Sequence, residues 1–199
     1  MAIKFQYNKT AMQGLTKQLK VRQKALPTLK NKESALRMEV KKAKDKAAEL
    51  DQALKDKLAA YDSIIRLYGE FESDLVAISD VNFKIKKIAG VQTPVLDDIV
   101  FAVRPFSVFS KPQRFLDGIA MTKELVSIAI EREFFLKKME LLDYSRRKTT
   151  QKVNLYEKVQ IPGYQEALLK IKRFLEDEEN LSKSAQKIVK SRQQAEAAV

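Results

Sequence analysis

The sequence predicts a mainly α fold: a long antiparallel two-helix coiled coil with a small head, containing a β-hairpin, between the helices. Three observations lead there. A heptad ladder runs from Leu15 through Leu19, Arg22, Leu26, Leu29, Glu33, Leu36, Val40, Ala43, Ala47, Leu50, Leu54, Lys57, Tyr61 and Ile64 to Tyr68, apolar at all but Arg22, Glu33 and Lys57. A second stripe of the same period occupies the C-terminal half. Three of the five prolines crowd between Pro94 and Pro112, so the helix-breaking residues concentrate between the two stripes. A seam repeating every 3.5 residues marks a supercoiled helix, and so narrow a stripe needs a partner of similar length.

Residues 1–8 read as a short lead-in. Thr10 and Gln13 have the spacing of a capping box, Thr-x-x-Gln, in which hydroxyl and amide satisfy free backbone donors. The first helix is expected over residues 8–78. Pro27 lies inside it, but the seam keeps its phase from Leu26 to Leu29, which favours a kink over a stop. Runs such as Lys41-Lys42-Ala43-Lys44-Asp45-Lys46 fit a solvated face, since like charges stacked on a buried side repel. At about 1.5 Å per residue, roughly 65 helical residues make a slim rod on the order of 100 Å long.

The head is expected over residues 79–112. Val81, Phe83 and Ile85 alternate with Asn82, Lys84 and Lys86; Gly90 and Pro94 follow; then residues 95–103 form a second β-branched run, with Ile99, Phe101 and Val103 on one side. Two alternating runs about a Gly/Pro connection predict a hairpin, which must lean on the helices beside it because two strands alone are marginal. Ser110 and Gln113 repeat the capping-box spacing, with Pro112 in the first turn.

The second helix is expected over residues 113–192. Its stripe is Met121, Leu125, Ile128, Arg132, Phe135, Met139, Leu142, Arg146, Thr149, Val153 and Tyr156. Beyond Ile161-Pro162-Gly163 a new phase holds: Ile161, Tyr164, Leu168, Ile171, Leu175, Glu178, Ser182, Ala185 and Val189. Phase shift and proline coincide, predicting a kink near residue 162 or two stacked helices. Residues 193–199 are expected to fray. The chain thus reads as one elongated domain over residues 1–199, with polar seam positions setting its register.

Composition excludes much chemistry. There is no Cys, His or Trp among the 199 residues, so thiolate chemistry and the commonest metal ligand and general base are absent. No Walker loop or dinucleotide fingerprint occurs, and no catalytic, metal or cofactor site is predicted. Asp97-Asp98 near a turn and the Glu176-Asp177-Glu178-Glu179 run read as solvent and surface chemistry. The net charge of +12 points to an acidic partner. The lysines are dispersed and interleaved with acids, whereas nucleic acid calls for a continuous basic stripe. The N-terminal Met-Ala-Ile-Lys-Phe-Gln-Tyr lacks a signal-peptide core, and no run approaches the ~18 apolar residues of a membrane span, so a soluble cytoplasmic chain is expected.

Three segments resemble the D subunit of the V-type (V/A-type) rotary ATPases. Leu29-Lys30-Asn31-Lys32-Glu33-Ser34-Ala35-Leu36 is similar to the family's Leu-Lys-x-Lys-Arg-x-x-Leu, with Glu33 in place of Arg. Gly90-Val91-x-x-Pro94 is similar to its hairpin Gly-Val-x-x-Pro. Residues 151–162 resemble Arg-Arg-Val-Asn-Ala-Leu-Glu-x-Val-x-Ile-Pro: Val153, Asn154, Glu157, Val159, Ile161 and Pro162 match, while Gln151-Lys152 replace Arg-Arg.

The resemblance implies a non-catalytic central rotor shaft. It would stand inside the hexamer of catalytic A and non-catalytic B subunits. It would meet the F subunit and the C/d subunit that seats the shaft on the membrane ring. It would be cytoplasmic and peripheral to the membrane. Lys30, Lys32, Leu36, Val91, Ile99, Phe101, Val153, Asn154 and Glu157 are the candidates for subunit contacts. On this view the lysines face acidic loops of the hexamer cavity, and the hairpin either touches neighbouring subunits or packs on the helices. A stand-alone coiled-coil scaffold or chaperone, and a nucleic-acid-binding coiled coil, are the alternatives.

Overall fold

A computed structural model describes residues 3–65, 75–106 and 114–196. In order, the elements are α1 (Lys9–Ile65), β1 (Val76–Ile88), β2 (Val91–Val103), α2 (Arg114–Asn154), a π-helical turn (Leu155–Gln160) and α3 (Ile161–Glu196). The chain is mainly α, with one two-stranded antiparallel hairpin between the long helices. Two compact units divide it: residues 1–31 with 149–199, and residues 32–148.

In the first unit α1 opens on Asn8, not on the Thr10–Gln13 box. The Ala11 N–H donates to Asn8 Oδ1 at 2.6 Å, and the helix begins at Lys9, so Thr10 already lies inside the first turn. Asn is among the best N-cap residues, and it outcompetes the hydroxyl two positions later. Pro27 stays inside α1, which runs unbroken to the last described residue before 66. The core here is Leu15, Tyr164, Ala167 and Ile171, ringed by Ile3, Phe5, Met12, Leu19, Leu168 and Leu175. The lead-in residues complete it: Tyr7 stacks at 4.9 Å on Phe174, and Ile3 approaches Gly163 so closely that a Cβ there would stand 3.1 Å from Ile3 Cδ1.

The π-turn explains the phase shift in the second stripe. A π-turn accommodates one residue more than an α-turn, so the stripe that ends at Val153 and Tyr156 resumes at Ile161 and Tyr164, facing the same side. The Ile161 N–H bonds the Tyr156 carbonyl, five residues back. Pro162, with no N–H and a ring that would strike the carbonyl four residues before it, makes the regular α-turn costly at this spot.

In the second unit α1 and α2 run antiparallel. Asp51 pairs with Arg132 Nε at 2.8 Å, and Lys57 pairs with Glu124, which also accepts from the Tyr61 hydroxyl at 3.0 Å. Leu36, Ala43, Ala47, Leu50 and Leu142 are buried, Leu36 and Leu142 completely. Across both units every ladder position from Leu15 to Tyr61 is buried or half-buried, and so is every position of the second stripe from Met121 to Leu175. The side chains of Ile64 and Tyr68, and the capping residues Ser110, Pro112 and Gln113, lie outside the described ones.

The hairpin is longer than its sequence pattern indicates. Helix is expected to residue 78, but Val76 already opens β1. The turn is Ala89-Gly90, with φ of 49° and 80°; two left-handed residues match the twist of the flanking strands, and Gly90 takes that conformation without strain. Pro94 therefore sits within β2, opposite Ile85, which a sheet made only of edge strands tolerates. Register shifts at Ser79 and Asp97 bend the ribbon. Thr93 is fully buried and donates its hydroxyl to the Lys86 carbonyl at 2.9 Å. Phe83 meets Phe134 of α2 at 6.2 Å, Lys123 of α2 lies 5.9 Å from the Phe101 ring, and a Cβ on Gly90 would stand 3.5 Å from Lys32 Nζ of α1. The ribbon thus lies against the helix pair of its own unit.

Candidate subunit-contact surfaces

The polar residues that interrupt the seam are answered within the chain. In the first unit Arg22 donates from Nε to Gln160 Oε1 at 2.6 Å and lies 4.6 Å above the Tyr164 ring, whose hydroxyl donates to Gln18 Oε1 at 2.8 Å. In the second, Glu33 pairs with Arg37, and Arg146 with Asp143. Pairs that cross between helices set register, because each long side chain finds its partner at only one offset.

The electrostatics are those of surface pairs. Glu124 is held below the usual carboxylate range first by its hydrogen bond from Lys57 and then by that from Tyr61, whose own ionisation the carboxylate pushes up. Asp51 is lowered chiefly by Lys55 and further by Arg132, and Asp143 by Arg146 and then Arg147. Depressed carboxylates contribute stability above their unfolded pKa and lose it as pH falls through the folded value, so these pairs loosen only in acid. Tyr61 contributes with the opposite sign: its share is present below its unfolded pKa and is lost as pH rises through the raised one.

The predicted contact residues fall into three sets. Leu36 and Val153 are buried among the chain's own helices, so their side chains are occupied by the seam. Lys30 and Glu157 meet each other at 2.6 Å across the first unit, and Asn154 lies exposed just before the π-turn. Lys32 is exposed beside the hairpin turn, while Val91, Ile99 and Phe101 are half-buried. The motifs therefore bring Lys30 and Glu157 together, and place the hairpin set in the other unit.

Two further surfaces do not stand out in the sequence. The first is α3 beyond Leu175. Every residue from 176 to 195 is exposed, including Leu181 at 72 %, Ile188 at 54 % and Val189 at 53 %. In this unit the opposing segment runs out here: Tyr7 lies against Phe174, and residues 7–9 reach along α3 only as far as Glu179 and Ser182. Beyond Ser182 the stripe continues in heptad phase through Ala185 and Val189, both exposed, with no opposing helix among the described residues. Comparing the residues left on α1 with those left on α3 would expose this overhang. The helix extends to Glu196. The second surface is β1, where ten of thirteen residues are exposed, with Phe83 at 58 % and Ile85 at 64 %.

The acidic stretches are engaged mainly by neighbours on their own elements. Asp97 pairs with Lys84 at 2.8 Å, and Asp98 accepts from the Ile99 N–H. Glu176 and Glu179 pair with Lys172 and Lys183 on the same helix. Among the described residues no group of three or more His, Cys, Asp or Glu could hold a metal ion, and no helix is long and apolar enough to cross a membrane.

A family model for the D subunit of ATP synthase matches residues 11–191. The V-type ATP synthase D subunit of Borreliella burgdorferi is 31% identical over 191 residues, covering 94% of each chain. Its counterpart in Chlamydia muridarum is 32% identical over 157 residues, 76% of this chain and 77% of that one. That of Chlamydia pneumoniae is 29% identical over 185 residues, 89% of this chain and 87% of the other.

Proposed function

Because the chain belongs to the family of ATP synthase D subunits, we propose that it is the central rotor shaft of a V-type ATPase or ATP synthase. It passes torque between the catalytic A/B hexamer and the membrane ring and hydrolyses nothing itself. Its neighbours on this reading are the A and B subunits, the F subunit, and the C/d subunit that seats the shaft on the ring. The complex places it on the cytoplasmic side, peripheral to the membrane. Torque passes because an asymmetric shaft makes different contacts at different angles, and differential contact is what shifts the populations of the surrounding interfaces.

One observation carries the reading beyond family membership: the bare stretch of α3 at residues 176–195. Its apolar residues Leu181, Ile188 and Val189 are exposed and, past Ser182, have no cover among the described residues, and an exposed apolar stripe rimmed by charge suits a partner outside the chain. A hexamer cavity supplies such a sleeve. Its basic residues Lys183, Lys187, Lys190 and Arg192 suit an acidic lining.

The test is co-purification. The full chain, co-expressed with the A, B and F subunits, is expected in one complex with them. A chain truncated after Leu175, which keeps the buried core of its unit, is expected to retain the F subunit and lose at least about tenfold in affinity for the hexamer, about 1.4 kcal/mol. A full chain that self-associates and never enters the A/B complex would defeat the proposal.

A further inference from the structure

Within the first unit, both helices carry their backbone defect at the same level. The pairs Arg22–Gln160 and Lys30–Glu157, each at 2.6 Å, bracket one short interval. On α1 that interval contains Pro27, which has no N–H to give the Gln23 carbonyl. Facing it is the π-turn Leu155–Gln160, where bonding runs to the fifth residue back, closed by Pro162, which again gives no N–H. The packing thins at the same level. No side chain of α1 between Leu15 and Leu36 is fully buried, none in the π-turn is, and Leu155 and Val159 stand about 40 % exposed.

Three independent weaknesses thus coincide: one backbone bond missing on one helix, a widened turn on the other, and only half-buried apolar side chains between them. Each alone is commonplace. Together they weaken at one level what stiffens a helix pair, namely continuous intrahelical bonding and fully buried apolar side chains. What remains is the half-buried Leu26, Leu29 and Tyr156, the two bracketing polar pairs and the contact of Arg22 with the Tyr164 ring.

We propose that residues 22–30 of α1 and Leu155–Gln160 form a joint, a level at which the pair opens and flexes before the helices on either side of it. The joint stands whether or not the shaft reading does; on that reading, it is where twist accumulates under load. Pro162 pins the π-turn at its C-terminal end, so the surplus residue can migrate only toward α2.

Amide hydrogen exchange on the full-length chain tests this. Backbone amides at 23–31 and 155–161 are expected to exchange at least about tenfold faster than those at 12–19 and 164–171, which lie nearer the chain ends, so fraying cannot produce the order. Pro27→Ala alone is expected to slow the α1 side. Adding deletion of Lys158 with Pro162→Ala, which makes the second helix regular, is expected to slow the α3 side as well, bringing both within about threefold of their flanks. Equal protection of the two levels in the unmodified chain would overturn the joint. So would fast exchange that Pro27→Ala leaves untouched on α1.

Discussion

Replacing Leu142 with alanine is expected to destabilise the chain by about 2–5 kcal/mol, the cost of removing a large buried side chain and leaving a cavity. Among the described residues, Leu142 and Leu36 are the two leucines with no exposed surface, and both lie in the second unit. The seam of that unit also holds Ala43 and Ala47, too small to collapse into a vacated space. For a chain of this length the melting temperature should fall by roughly 5–20 °C, provided unfolding is cooperative. Thermal melts followed by circular dichroism in the far ultraviolet would read this directly. The informative control is Met38→Ala, since Met38 is 60 % exposed and off the ladder. It should change the midpoint by no more than about a degree or two, as surface substitutions usually do. Equal effects at the two positions would mean that the seam drawn from the ladder is not the buried one.

A still larger effect is expected from a single residue added to the π-turn. One alanine inserted after Lys158 rotates everything downstream by about 100° if the helix stays regular beyond it. Tyr164, Ala167 and Ile171 then swing off α1, and the core they make with Leu15 is lost. Returning a buried Tyr and a buried Ile to water costs on the order of 5 kcal/mol together. Removing a residue should do the reverse. Without Lys158, and with Pro162→Ala to relieve the ring clash, the stripe Thr149, Val153, Tyr156 runs in unbroken heptad phase into Ile161, Tyr164, Leu168 and Ile171. That variant should stay folded, with a melting temperature within a few degrees of the parent. Pro162→Ala by itself should leave the wide turn in place, because packing of Tyr164 and Ile171, more than proline chemistry, demands the extra residue. Thermal melts of the three variants decide it: an insertion as stable as the deletion would show that α3 has no fixed register on α1.

Much of this is legible in the sequence because a coiled-coil seam is written in a strict period. Stepping along the ladder reaches Leu15, Leu36, Ala43, Ala47 and Leu50, and each is buried. The stripe also gives away the irregularity near Pro162, since its phase slips by one residue there. What the period does not encode is how a slip is absorbed: a kink, a break and a π-turn all produce it, and only the i−5 bond of Ile161 distinguishes them. Asn8 escapes notice because a two-residue box pattern draws attention to Thr10, whereas a single good cap suffices. The hairpin outruns its expected bounds because Ala77, a strong helix former, sits between the strand formers Val76 and Ile78, and because Pro94 reads as part of the turn when an edge strand accommodates it.

Contact residues are the least legible part. Leu36 and Val153 sit in motifs that resemble family signatures, yet a motif residue can serve the chain's own core, and burial puts these two there. Lys30 and Glu157 come from two different motifs 127 residues apart and prove to be partners of one another. The bare stretch of α3 is hidden for a different reason. Its heptad phase is unbroken through Val189, so the pattern alone cannot tell a filled seam from an empty one; that depends on where the opposing helix ends.

The absence of cysteine in this chain allows one measurement that bears on the shaft reading with little intermediary. Lys87, exposed on β1 and free of any role in the seam, is changed to cysteine and carries a bead, while the A/B hexamer of the reconstituted complex is fixed to a surface. On addition of ATP the bead is expected to turn continuously in one direction, and to stop when ATP is exhausted. A bead that stays still while the same complexes hydrolyse ATP would contradict it.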